Sequence, residues 1–259
     1  MAEFFLELFS EEIPAGLQKN FREELLEKFR KIFLKRSIRS KKSFSLSTPN
    51  RLIIVFEGLD KEVRILSQEI KGPKVGAPIQ ALEGFVKSNK IKQKDLFKKK
   101  TEKGDFYFYK TNPRILKTFN LLIEFIPKLL ESYNWKKSMK WGDFNINWGR
   151  PLKSILAVFD KKTINFEFHH IVSSNSTFID KDFEEKYKFF RDFKSYKKYF
   201  QNNETILSQN KRKEIINSKF KKILDKKKLT IENNPKLLEE VVDLVDNPNI
   251  LLCSFDKKF

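Results

Sequence analysis

An α+β fold, with mixed or antiparallel sheets, packed helices and a mainly helical C-terminal third, follows from three features of the 259-residue sequence. Within residues 1–60 an apolar run, a helix-period stretch and two more strand-like runs succeed one another, which reads as strand, helix, strand, strand. The last two flank Thr48-Pro49-Asn50-Arg51, whose turn chemistry makes that pair antiparallel. From residue 150 onward the chain has no glycine, and three stretches of helical spacing follow Asp180.

The elements then read in order. Phe4 to Leu8 is a buried strand. Pro14 opens a helix, where its missing N–H is harmless, and Leu17, Phe21, Leu25, Phe29, Ile32 and Phe33 give that helix one apolar face to about Lys35. Ser43 to Ser47 alternates, with Phe44 and Leu46 on one side. Leu52 to Phe56 is the best strand, and Gly58 is expected to end it. Gly72, Pro73, Gly76 and Pro78 mark residues 71–80 as a loop or boundary. A short helix follows over Ala81 to Ser88, with Leu82, Phe85 and Val86 inside, and then an exposed polar stretch from Lys87 to Lys103.

Phe106 to Tyr109 is a strand, and Ile115 to Phe125 has helical spacing that Pro127 breaks or restarts. Trp135 to Gly142 interleaves aromatic and basic residues. Ile155 to Phe159 and Thr163 to Phe168 flank Asp160-Lys161-Lys162 as a hairpin. Helices are expected near 181–201, 207–226 and 235–246, and Ile250-Leu251-Leu252 is strand-like. Three parts result: an α/β unit over 1–70, a basic α+β region over 71–180, and a helical region over 181–259 that reads as truncated.

Composition removes several classes. One cysteine, Cys253, allows neither an intramolecular disulfide framework nor a multi-cysteine zinc site. No apolar run is long enough for a membrane span, and the acidic N-terminus lacks the basic and apolar regions of a secretory signal, so a cytoplasmic chain is expected. The 53 Lys+Arg against 34 Asp+Glu leave +19, the electrostatic footprint of a nucleic-acid partner. Only 10 of those cations are Arg, and Phe, Lys, Asn and Ile, all with A/T-rich codons, are abundant. Biased base composition therefore accounts for part of the excess. The runs at Lys35 to Lys42, Lys98 to Lys100 and Lys226 to Lys228 read as solvated helix ends or loops.

No self-contained catalytic site emerges. Neither Gly-x-x-x-x-Gly-Lys-Ser/Thr nor Gly-x-Gly-x-x-Gly is present. His169-His170, as strand neighbours, would point to opposite faces and could not grip one ion together. Cys253 reads as a small buried hydrophobe. Glu11-Glu12 reads as carboxylates set against the positive end of the first helix. What remains is a set of cations and rings: Arg51, Lys71, Lys74, Trp135, Lys140, Trp141, Trp148 and Arg150. Cations with stacking rings are what RNA recognition uses, and core packing is the plainer role for the tryptophans.

A series of motifs resembles the β subunit of bacterial heterotetrameric glycyl-tRNA synthetase. Phe5-Leu6-Glu7-Leu8-Phe9-Ser10-Glu11-Glu12-Ile13-Pro14 resembles that family's opening strand and Gly-Thr-Glu-Glu-Leu-Pro. Ser47-Thr48-Pro49-Asn50-Arg51-Leu52 resembles its Thr-Pro-Arg-Arg-Leu, and Lys71-Gly72-Pro73 its Arg/Lys-Gly-Pro. Ala81 to Phe85 stands for its Ala-x-x-Gly-Phe, and Lys103-Gly104-Asp105-Phe106-Tyr107 for Lys-Gly-Glu-Tyr/Trp-Leu. Ser138-Met139-Lys140-Trp141-Gly142 resembles Lys-x-Met-Arg-Trp-Gly, and Arg150-Pro151-Leu152 resembles Arg-Pro-Val/Ile. Leu238 to Pro248 resembles Leu-Leu-Glu-Glu-Val-x-x-Leu-Val-Glu-x-Pro. The motifs run in order along the whole chain. Asn50 departs from the first Arg of the Arg-Arg pair, and Ser174 to Phe178 stands where the family has Gly-His-Arg-Phe. Family members also continue well past the position of Phe255 to Phe259.

The resemblance implies a tRNA-holding N-terminal portion of a glycine–tRNA ligase. It implies ATP and glycine bound by a class II-like α subunit, an α2β2 assembly, tRNA(Gly) as partner, and no cofactor or metal on this chain. It places Arg51, Lys71, Lys140, Trp141 and Arg150 as tRNA-contacting residues, with no catalytic residue here. The competing expectations are a stand-alone basic RNA-binding module, a hydrolase of mischarged tRNA relying on Glu11, Glu12 or His169, and an inactive truncated remnant.

Overall fold

A computed structural model describes residues 1–143, 146–179 and 186–254. The fold is α+β, with antiparallel sheets and six helices among the described residues. Strand β1 (Ala2–Ser10) leads through Pro14 into helix α1 (Ala15–Lys35). Strands β2 (Lys42–Thr48) and β3 (Arg51–Leu59) form the hairpin across Pro49-Asn50. Gly58 does not end β3. With φ at +65° and the Lys41 side chain against it, it lets the strand continue to Leu59.

Next come β4 (Glu62–Ile65), β5 (Glu69–Lys74), α2 (Ile79–Asn89), β6 (Leu96–Thr101), β7 (Gly104–Lys110) and β8 (Arg114–Lys117). Three departures from expectation occur here. Gly72 and Pro73 lie within β5, at a register shift between Lys71 and Lys74, so only the segment before α2 is loop. The stretch from Lys87 to Lys103 is largely exposed as expected, but it contains β6, so Lys98 to Lys100 sit on a strand rather than in a loop or helix end. Ile115 and Leu116 belong to β8, because pairing with β4 decides their conformation.

Helix α3 (Thr118–Glu131) carries Pro127 inside it without breaking, as Leu121, Leu122, Phe125, Ile126, Leu129 and Leu130 are all buried. Strand β9 (Leu152–Phe159) turns through Asp160 and Lys161, both at positive φ, into β10 (Lys162–Thr163). The expected second arm stops there. Short pairs follow: β11 (Glu167–Phe168) with β12 (Ile171–Val172), and β13 (Ser176–Phe178) with β14 (Tyr187–Phe189). Helices α4 (Phe193–Asn202), α5 (Gln209–Lys227) and α6 (Pro235–Leu244) complete the described chain. The C-terminal third is thus helical only in part. Residues 181–185 of the expected first helix lie outside the described residues, and so do Phe255 to Phe259. Ile250 to Leu252 form no strand, and Leu251 and Leu252 are exposed.

The chain forms two compact units, residues 1–61 with 118–259 and residues 62–117, which cut across the three parts expected from the sequence. The first unit is built on the sheet β10-β9-β1-β3-β2. Both faces are covered, which is why β1 and β3 are apolar almost throughout. On one face Phe4 and Phe56 meet Phe29 and Phe33 of α1, and Phe125 of α3 packs 5.4 Å from Phe29. On the other, Phe5, Ile53, Val55, Leu156 and Val158 meet Phe193, Tyr196 and Phe200 of α4.

Arg212 of α5 is fully buried and donates to the carbonyls of Ser47, Ile206 and Val242, tying β2 and α6 to its helix. Burial lowers its pKa to about 10, against the pull of Asp243, so it is charged at neutral pH. The second unit has the sheet β5-β7-β6, the β4–β8 pair, and α2 against β5, where the Phe85 ring occupies the space a Cβ at Gly72 would need.

Candidate nucleic-acid interface

The aromatic-basic stretch at residues 135–150 is assembled around Phe21 of α1. Trp135 stacks on Phe21 at 4.3 Å, and Tyr133 and Trp148 meet the same ring edge-on. Trp148 also packs against Phe168 of β11. Met139 and Trp148 exchange backbone hydrogen bonds of 2.8 and 3.2 Å, which closes the base of the loop between them. Gly149 is required for this arrangement, because a Cβ there would lie 2.5 Å from the Trp135 ring. Tyr133 has its pKa pushed up to about 12, by burial first and by Glu24 second, so it stays neutral.

This scaffold presents Lys136, Lys137 and Lys140 to solvent, and none of the three is in an ion pair among the described residues. Trp141 is half-buried, 6.3 Å edge-on from His170. Arg150 is half-buried and donates to the Gly149 carbonyl at 2.9 Å. Lys136 and Lys137 therefore lead into the loop, Lys140 and the partly open Trp141 indole lie just inside it, and Arg150 stands two residues after Trp148. Such a surface can neutralise phosphates and offer one ring for stacking.

Lys71 belongs to the second unit. On β5 its ammonium lies 3.5 Å from the centre of the Phe106 ring of β7. Lys98 and Lys99 sit over Tyr107 and Phe108, and Lys99 pairs with Glu69 at 2.6 Å. This unit carries 14 Lys+Arg against six Asp+Glu over residues 62–117. Its lysines alternate with rings on paired strands, an arrangement that the run at Lys98 to Lys100, read as a loop, did not reveal. The signal was Phe97 beside the run, and Phe106 to Tyr109 next along the chain.

Arg51 is not on this surface. It is 5% exposed and donates to Glu7 at 2.5 Å, to Thr177 Oγ1 at 3.1 Å and to the Phe178 carbonyl. Burial alone would lower its pKa, but Glu7 and Tyr196 outweigh that and raise it. The buried Tyr196 hydroxyl donates to Glu7 at 2.6 Å, and its own pKa is well above the usual phenol range, by burial and then by Glu7. A phosphate does not reach this guanidinium, and its expected contact with RNA is replaced by an internal ion pair.

His169 and His170 form the turn between β11 and β12 and are both exposed, so neither points inward; His169 has φ at +54°. The slight burial that His170 does have, and then His169, lower its pKa. Cys253 is exposed. Glu11 pairs with Lys153 at 2.9 Å, and the first turn of α1 holds no acid. Trp148 is 2% exposed and belongs to the core, as does most of Trp135. Among the described residues no group of three His, Cys, Asp or Glu could hold a metal ion, and no helix is long and apolar enough to cross a membrane.

Comparison with known proteins adds an independent line. The family described as "Glycyl-tRNA synthetase beta subunit" matches residues 4–259. Glycine–tRNA ligase beta subunits are similar over the whole chain: 36% identity over 261 residues in Rickettsia canadensis, 36% over 263 in Rickettsia felis and 37% over 261 in Rickettsia bellii. In each case the chain spans 39% of the relative's length.

Proposed function

The chain belongs to the glycyl-tRNA synthetase beta-subunit family, and on that premise we propose that it is a tRNA-holding portion of a glycine–tRNA ligase. In this reading it supports ATP-dependent attachment of glycine to tRNA(Gly) in the cytoplasm. An α subunit, in an α2β2 assembly, binds ATP and glycine and performs adenylation and acyl transfer. This chain's own residues bind and orient the tRNA.

The observation that carries the reading is the exposed run Lys136, Lys137 and Lys140, which enters the loop closed by Met139 and Trp148 beside the Phe21–Trp135 stack. A rigid base removes much of the ordering cost that a free lysine loop would incur on binding. Lys140 and Arg150 neutralise phosphates, Trp141 offers a stacking face, and Lys71 supplies a phosphate contact from the second unit. Arg51 has no part in it.

The test is charge reversal, Lys140→Glu with Arg150→Glu, followed by tRNA(Gly) binding across a salt series. Each phosphate that is no longer neutralised lowers the steepness of log K against log salt by about 0.7–0.9. Affinity is expected to fall at least about tenfold at low salt, with a shallower slope. Unchanged affinity and slope would remove these two residues from the interface.

A further inference from the structure

We propose that the groove between the edge strand β2 and helices α4 and α5 is a docking site for an acidic amphipathic helix of a protein partner. The groove has a volume of about 790 Å³ and lies wholly in the first unit. Phe44, Leu46, Leu207 and Ile215 contribute its apolar walls, and Lys42, Lys194, Lys197 and Lys211 stand around it. All four lysines are exposed, whereas Phe44, Leu46 and Ile215 are half-buried. An apolar floor inside a cationic rim is the complement of a helix with one apolar stripe and acidic flanks.

The two acids at the groove do not reverse its sign. Glu3 is committed internally, accepting the Phe193 N–H at 2.7 Å at the start of α4, and burial raises its pKa. That leaves Glu57 against four lysines, of which only Lys211 has a carboxylate partner, Glu214 at 3.2 Å, among the described residues.

Two other occupants fit less well. Addition of a strand to β2 would need its outward carbonyls, but those of Ser43 and Ser47 already accept from Arg30 at 3.1 Å and Arg212 at 3.0 Å. A nucleic-acid strand would need flat rings to stack on. Phe44 already has the Lys42 ammonium 5.1 Å from its ring centre and Phe193 against its edge, and the rest of the floor is aliphatic. A helix needs neither strand hydrogen bonds nor rings.

The experiment uses the full chain and three fluorescent probes. These are an 18-residue peptide with Leu at helical spacing and Glu elsewhere, a scrambled peptide of the same composition, and oligouridine. The helical peptide is expected to bind, and Lys194→Glu with Lys197→Glu to weaken it at least about tenfold. Ile215→Asp is expected to weaken it as well, and the scrambled peptide to bind at least about tenfold less tightly. Failure of the helical peptide to bind, equal binding of the scramble, or indifference to these substitutions would each overturn the proposal. Oligouridine that displaces the peptide and loses affinity with the same lysine variants would replace it with an RNA groove. Binding of tRNA(Gly) unaltered in these variants is expected, so the groove and the basic segment at residues 136–142 stand or fall separately.

Discussion

Arg51 begins β3 directly opposite Phe9 of β1, which places its side chain on the face of the sheet that α4 covers. Its guanidinium lies 4.5 Å from the ring centres of both Phe9 and Phe200 and is ion-paired with Glu7. A charge buried this way is sustained only by its partner. Arg51→Met is therefore expected to destabilise the fold by about 3–5 kcal/mol, because Glu7 would be left charged and uncompensated with its Oε2 already lacking a hydrogen bond. Urea unfolding measures this, and a loss below about 1 kcal/mol would mean that the fold does not depend on the pair. The pair was hidden in the sequence. Its partners are 44 positions apart, and the one clue was an acid amid the apolar run Phe4 to Phe9. His169, His170 and Cys253 were misplaced for a related reason: exposure at a turn or beyond a helix depends on neighbours that no local pattern encodes.

Long periodic elements were legible and short paired ones were not. The helix from Ala15 to Lys35 and the strands at Ala2 to Ser10 and Arg51 to Leu59 carry their pattern over many residues. Arg114 to Lys117 has four residues and is a strand only because Glu62 to Ile65 lies beside it. Pro127 looked like a helix end, yet six buried apolar side chains hold α3 through it. The loop at 139–148 was readable as composition but not as a closed structure, since its closure depends on Trp135 meeting Phe21 over a hundred positions away. Gly149 belongs to this scale. Gly149→Ala would push a methyl group into the Trp135 ring, with an expected cost of about 1–3 kcal/mol and looser tRNA binding through a displaced loop. Tryptophan fluorescence and thermal unfolding check it, and an unchanged melting temperature would show that Trp135 is free to move aside.

At the scale of the molecule, the +19 balance had two explanations, base composition and a polyanionic partner. Structure sharpens the second without removing the first. Residues 62–117 hold 14 of the 53 cations with only six of the 34 acids, and set lysines over rings. That this segment is a compact unit of its own could not be read from the chain, because the turn-rich stretch at 71–80 looked like the boundary while the unit closes through pairing of β4 with β8. The central claim, a chain that holds tRNA, is tested most directly by titrating labelled tRNA(Gly) with the unaltered chain between about 50 and 200 mM salt. The account predicts binding whose log K falls linearly with log salt, at a slope corresponding to at least about three phosphate contacts. No binding at the low-salt end, or binding that salt does not weaken, would contradict it.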